Sequence, residues 1–270
     1  MHEPVGFNRW LLNTFSIWEL ALILIAACMV VSLGGLFVAR RFVPSLVGKA
    51  GERSLSTAVG IATGLFSFVL AFTIGQLYSG FTNAGNAVQN EATQLSQLVR
   101  VSSYLSAKEG RDLNRLALTY AREVEGHEWS LMRSGHASPQ AWRLIDRMYG
   151  DLAAYKPATP NEGAFYGQAT SLLNQLVAAR RTRLAAAESP FPHAFEVMLA
   201  IGAVLALLTT LNFKPADDRL QLFTIAAASA LVGMALLVAL SLEYPFSGDV
   251  TVSKTPFSQI TQAQLDYARR

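Results

Sequence analysis

Four stretches of this chain are apolar over close to the roughly 20 residues that carry an α-helix across about 30 Å of hydrocarbon. They run over residues 17–39, 57–80, 195–213 and 220–242. Charge is confined to their ends, at Glu19 in the first and Glu196 in the third. A helix satisfies its own backbone groups in lipid, where an open strand does not. These runs therefore predict an all-α, four-span membrane protein. Composition agrees: 15% of the 270 residues are charged and 51% are hydrophobic, whereas a soluble domain carries about a quarter charged. The first run is too long for a signal-peptide core and a second follows closely, so it reads as an anchor.

The runs divide the chain into a lead and first transmembrane hairpin (1–80), a helical extramembrane domain inserted between spans two and three (81–194), a second hairpin (195–242) and an extramembrane tail (243–270). Short connectors at 40–54 and 214–219 predict that each hairpin closes on itself, antiparallel. In the lead, Trp10, Phe15 and Trp18 suit a membrane interface. Four helices are expected in the middle domain. The first prolongs the second span to about Leu105, and the next runs from about Lys108 to Met132. The third starts at Ser138–Pro139; the fourth starts at Thr159–Pro160 with Glu162 at the capping-box position, and ends near Glu188. The tail shows a turn at Ser247, Gly248 and Asp249 and a short strand from Val250 to Val252. The basic first connector (Arg40, Arg41, Lys49, Arg53) places its own side in the cytoplasm, which puts the middle domain outside. Arg9 and the Arg180, Arg181, Arg183 cluster pull the other way, so orientation stays open.

The second run does not stop at the lipid. It continues as FTNAGNAVQNEA from Phe81, without proline and with helical spacing. On a 3.6-residue period Ala84, Val88, Glu91, Leu95, Leu98 and Ser102 share one stripe, which sets Glu91 among core residues. The next helix repeats the device, with Leu113, Ala117, Tyr120, Val124, Glu128 and Leu131 on one face. A buried carboxylate needs a cation or a hydrogen-bond network, and Arg180, in phase with Leu173, Leu176 and Leu184, is the best cation to supply it. Asn90, Glu91, Glu128 and Arg180 are thus expected to form a buried polar network; a proton-sensitive site and a water-facing pair are the alternatives. Within the second span, Gly60, Gly64, Ser67, Ala71, Gly75 and Ser79 form a narrow face suited to close packing within the subunit or against a copy. Phe68, Phe72 and Gln76 lie on another face. In a ring of subunits they would form an apolar constriction of the kind that gates by dewetting; lipid contact or packing is the plainer role. Thr209, Thr210 and Asn212 end the third span, where they cap it or meet polar groups of the second.

Several classes of chemistry find no support. A net charge of +3 without any Lys/Arg block gives no reason to expect nucleic acid. The single cysteine, Cys28, allows neither an internal disulfide nor a thiolate metal cluster. His2, His127, His136 and His193 are scattered, with no HExxH pattern. No phosphate-binding loop, nucleotide fingerprint or nucleophile elbow occurs. No metal, no cofactor and no enzymatic step is expected.

The order of several blocks resembles a known family. The second span, NAGNAVQNEATQLSQLVR, LALTYAREVEGHEW, AARRTRLAAAESPFP and YPFSGDVTV are similar to the bestrophin-like family of bacterial membrane proteins, over about residues 15 to 258. Asn90, Glu91, Glu128, Trp129, Arg180, Arg181, Arg183, Pro245, Phe246 and Gly248 carry the resemblance. It implies a bestrophin-like fold, a multi-pass protein of the bacterial cell membrane, and a pentameric homo-oligomer conducting small anions. The second span would line the pore, with Phe68 and Phe72 as neck residues, and the middle domain would be cytosolic. A non-conducting membrane scaffold or sensor, whose helical domain docks a partner, is the alternative function.

Overall fold

A computed structural model describes residues 6–42, 52–188, 193–209 and 218–268. In chain order the elements are α1 (Phe7–Thr14), α2 (Ile17–Phe42), α3 (Glu52–Ser102), α4 (Ala107–Glu123), a π-turn (Val124–Glu128), α5 (Trp129–Met132), α6 (Pro139–Ala154), α7 (Pro160–Ala187), α8 (His193–Thr209), α9 (Asp218–Glu243) and α10 (Thr255–Ala268). Every regular element among the described residues is helical. The expected strand at Val250–Val252 does not form, because no second strand lies alongside. Instead Gly248 takes a positive φ of 78°, and the Val252 N–H donates to Pro245 O at 2.8 Å to close a turn. The chain divides into two compact units. One holds Trp10 to Ser79 and residues 189 to Glu243; the other holds Gly80 to Glu188 with the residues up to Arg9 and from Tyr244 onward.

Among the described residues, three helices are long and apolar enough to cross a membrane: Ile17–Val38, Gly60–Ser102 and Arg219–Glu243. The apolar helix Ala194–Thr209 is shorter; residues 210–213 of the third predicted run, with Thr210 and Asn212, lie outside the described residues. Glu19 is not stranded in lipid. It forms a capping box with Ser16, accepting from the Ser16 N–H at 2.8 Å while its own N–H reaches Ser16 Oγ at 3.4 Å. α2 packs chiefly along α9 and also on α8, and hardly meets α3 among the described residues. Small side chains choose this partner: Ser32 Oγ lies 3.2 Å from Ser229 Oγ, and Gly233 leaves room for the Ile25 backbone, which a Cβ there would meet at 3.0 Å. α3 meets α8 instead, through Thr63 and Thr209 hydroxyls 3.2 Å apart. The Phe66 ring also lies over Gly202, at 2.6 Å from where a Cβ would stand.

The polar unit is built on the C-terminal half of α3. Ala84, Val88, Leu95 and Leu98 are buried against Leu113, Ala117 and Tyr120 of α4, Leu144 and Met148 of α6, and Leu173 and Leu176 of α7. Gly110 is required where α4 begins, since a Cβ there would lie 2.4 Å from Ser102 O. Ser138 Oγ accepts from the N–H groups of Gln140 and Ala141, and Thr159 Oγ1 from Glu162 N, so both predicted caps form. The tail contributes α10, which packs on α4 and the π-turn. There the Trp129 ring stands edge-on to Phe246 and Phe257, with centroids 5.5 and 6.5 Å away.

Candidate functional site

Two lines of side chains run along α3, one covered and one bare. Leu70, Thr73 and Leu77 are buried, and the same line continues through Ala84, Val88, Glu91, Leu95 and Leu98. Phe68 and Phe72 stand one turn apart at 70% and 61% exposure, and Gln76 beyond them is exposed as well. No part of the described chain covers this aromatic pair. The small residues Gly60, Gly64, Ser67, Ala71, Gly75 and Ser79 are exposed too. A Cβ at Gly60, Gly64 or Gly75 would meet nothing within 4 Å. Among the described residues the close approach between α3 and α8 uses Gly202 rather than this face.

On the covered line the polar unit holds a buried ion network. Arg183 Nε donates to Glu91 Oε2 at 2.5 Å and its Nη2 to Glu91 Oε1 at 3.1 Å. The same Nη2 reaches Glu128 Oε2 at 2.7 Å. Arg180 grips Glu128 with both terminal nitrogens, Nη1 to Oε2 at 2.6 Å and Nη2 to Oε1 at 2.5 Å. Tyr120 bridges the two halves: its hydroxyl donates to Glu91 Oε1 at 2.5 Å and accepts from Arg180 Nη1 at 3.2 Å. The Ser138 N–H adds a further donor to Glu128 Oε1 at 2.8 Å. Both carboxylates and both arginines are completely buried, and two positive charges meet two negative ones. The Arg180 guanidinium also lies over the Trp142 ring, 4.8 Å from its centroid.

Local structure explains why these groups meet. Glu91 belongs to the covered line of α3, and the π-turn sets Glu128. Buried positions there fall at Val124, Glu128 and Met132, a spacing of four that follows the wider turn. For that reason Met132, and not Leu131, faces the core. The sequence placed Arg180 opposite either carboxylate; it takes Glu128, and Glu91 takes Arg183. The three-residue spacing between Arg180 and Arg183 puts both on the same helix face. Asn90 is not in the network. One residue on from the covered line means a turn of about 100°, so Asn90 is exposed and accepts from Gln94 Nε2 at 3.2 Å.

Electrostatics follow the geometry. Burial pushes the Glu128 carboxyl up, but hydrogen bonds and charge from Arg180 and Arg183 outweigh it and hold it below the usual carboxylate range. Burial, then the neighbouring Glu91 charge, raise the Tyr120 hydroxyl well above its ordinary value, so it stays a donor. Burial works against the Arg183 charge, yet Glu91 and Glu128 raise its pKa further. The network offers neither an exposed nucleophile nor an open base. Its chemistry is to clamp α3, the π-turn and α7 together while cancelling their charges. Among the described residues no group of three or more histidine, cysteine or carboxylate side chains gathers to hold a metal.

The Bestrophin-like domain matches residues 26–257. The chain belongs to the bestrophin-like family. Its fold is also that of a bacterial bestrophin homologue from Klebsiella pneumoniae. One point variant of that protein aligns with a TM-score of 0.67 at 19% identity, covering 95% of this chain and 99% of the homologue. A second variant aligns with a TM-score of 0.68 at 18% identity, covering 93% and 99%. A structure described as a membrane protein aligns at 0.70 with 15% identity, again covering 93% and 99%. No curated protein matches the chain. Likeness at such low identity speaks for the bestrophin-like fold alone.

Proposed function

We propose that this bestrophin-like protein is a homo-oligomeric ion channel of the cell membrane. α2, the N-terminal half of α3, α8 and α9 are its four spans, and α3 lines a path for small anions. The observation that carries this proposal is the bare face of α3: Phe68 and Phe72 stand uncovered on a helix that runs unbroken from Glu52 to Ser102. Repeated around a symmetry axis, such aromatic pairs form an apolar neck that closes by dewetting. The uncovered Gly60–Gly64–Ser67–Ala71 face gives a neighbouring copy room to approach closely, and closed rotational symmetry is the common outcome of such contacts. Five copies is the number the family resemblance implies. Conduction breaks no bond, which fits a buried network with no reactive group.

Purified, assembled protein in a planar bilayer should give discrete currents with a reproducible reversal potential. Phe68→Ala and Phe72→Ala should raise the conductance by widening the neck. Silence across salts, pH and voltage overturns conduction, and unchanged conductance in both variants removes these residues from the neck.

A further inference from the structure

Past Gln76 the bare side of α3 carries Asn83, Asn86 and Asn90, all exposed. Steps of three and four keep them on one face. From Gly60 to Val99 the helix contains a single charged residue, Glu91, and that one is buried and neutralised by Arg183. A helix face in open water normally carries charged side chains. α4 and α6 in the same unit do, with Arg111, Arg115, Arg143 and Asp146. Lipid is a poor occupant for this face, since unpaired amides are costly there. A dry contact with a neighbour would leave several amides unsatisfied. The pattern fits a surface that faces water but excludes fixed charge.

Resting on the channel proposal, we infer that Asn83, Asn86 and Asn90 line the aqueous part of the ion path. Their amide dipoles set its selectivity, so that one carboxylate per subunit on this face reverses its charge preference. Each amide offers N–H donors to a passing anion and a carbonyl to a cation. Beyond Gly60 the first exposed charge on the helix is Arg100, at the far end. Gln89 lies off this stripe and, with Gln97, lines the groove beside Pro256 and Ile260; it serves as the control position.

Two measurements test this. Asn86→Cys in the assembled protein should react readily with an anionic, water-soluble thiol reagent; the native Cys28 is buried. Protection of that cysteine would show a neighbour covering the stripe and would overturn the inference, with or without any current. In bilayers, Asn83→Asp, Asn86→Asp and Asn90→Asp should each lower the chloride-to-potassium permeability ratio roughly tenfold or more, as a ring of carboxylates close to the passing ion requires. Gln89→Asp should leave the ratio unchanged. Wild-type currents with an unshifted ratio in all three variants overturn the selectivity role while conduction stands. A silent wild type instead overturns the channel proposal itself.

Discussion

Replacing Arg183 with methionine should be among the most damaging single changes in the polar unit. The guanidinium is fully buried and makes three hydrogen bonds to carboxylate oxygens, two on Glu91 and one on Glu128. Methionine fills much of the same volume, so the loss is mainly electrostatic. Glu91 keeps Tyr120 as its remaining partner, and the site changes from neutral to one net negative charge. Breaking one side of a buried pair costs about 3–5 kcal/mol. For a body of this size that lowers the melting temperature by roughly 10 °C. Tryptophan fluorescence follows the unfolding, because Trp129 packs on Phe246 and Trp142 lies under Arg180. Adding Glu91→Gln to Arg183→Met removes the stranded charge and should restore about 1–3 kcal/mol, a coupling typical of contacting groups. A cost below about 1 kcal/mol for Arg183→Met, the level of a surface ion pair, would refute this reasoning. So would strict additivity of the two changes.

Three further outcomes follow from packing, caps and titration. Gly110→Ala should destabilise by about 1–3 kcal/mol, because its Cβ would fall 2.4 Å from Ser102 O. Gly85→Ala, whose Cβ finds Val252 at an ordinary 4.0 Å, should be neutral or slightly stabilising; equal melting temperatures for the two variants would count against the packing assigned to Gly110. Thr159→Ala should cost about 1 kcal/mol through loss of the bond from Glu162 N, visible as a lower denaturant midpoint. Glu128 has a depressed folded-state pKa, so its contribution is in force above the unfolded carboxyl value of about 4.3 and is lost as pH falls through the lower folded value. The melting temperature should therefore drop as acidity increases below that point, and a flat profile there would contradict the linkage.

Much of this was legible because helical periodicity is a local property. Glu91 and Glu128 were placed in the core by the apolar residues one turn away on either side, and the unbroken course of α3 by the lack of any breaker around Gly80. Ser138–Pro139 and Thr159–Pro160 announced their helices through cap chemistry. α10 carries a related sign, Pro256 in its first turn, but its apolar period is too weak to announce a helix. What the sequence could not settle was choice of partner. Spacing fixed the face of α7 that bears Arg180 and Arg183 but not which carboxylate each would meet, and the π-turn shifted the core from Leu131 to Met132. Short connectors say nothing of which helix α2 packs along, and Ser32, Ser229 and Gly233 let α9 approach it closely. Asn90 stays outside the network for a simpler reason: its neighbour Glu91 occupies the inward direction.

The most direct test of the channel proposal is the structure of the assembled protein in a lipid bilayer, measured as the radius along its symmetry axis. The proposal predicts a closed ring with α3 nearest the axis, Phe68 and Phe72 at the narrowest point, and a continuous water-lined path beside Asn83, Asn86 and Asn90. An axis filled with lipid, or α3 turned outward with those residues against acyl chains, would contradict it.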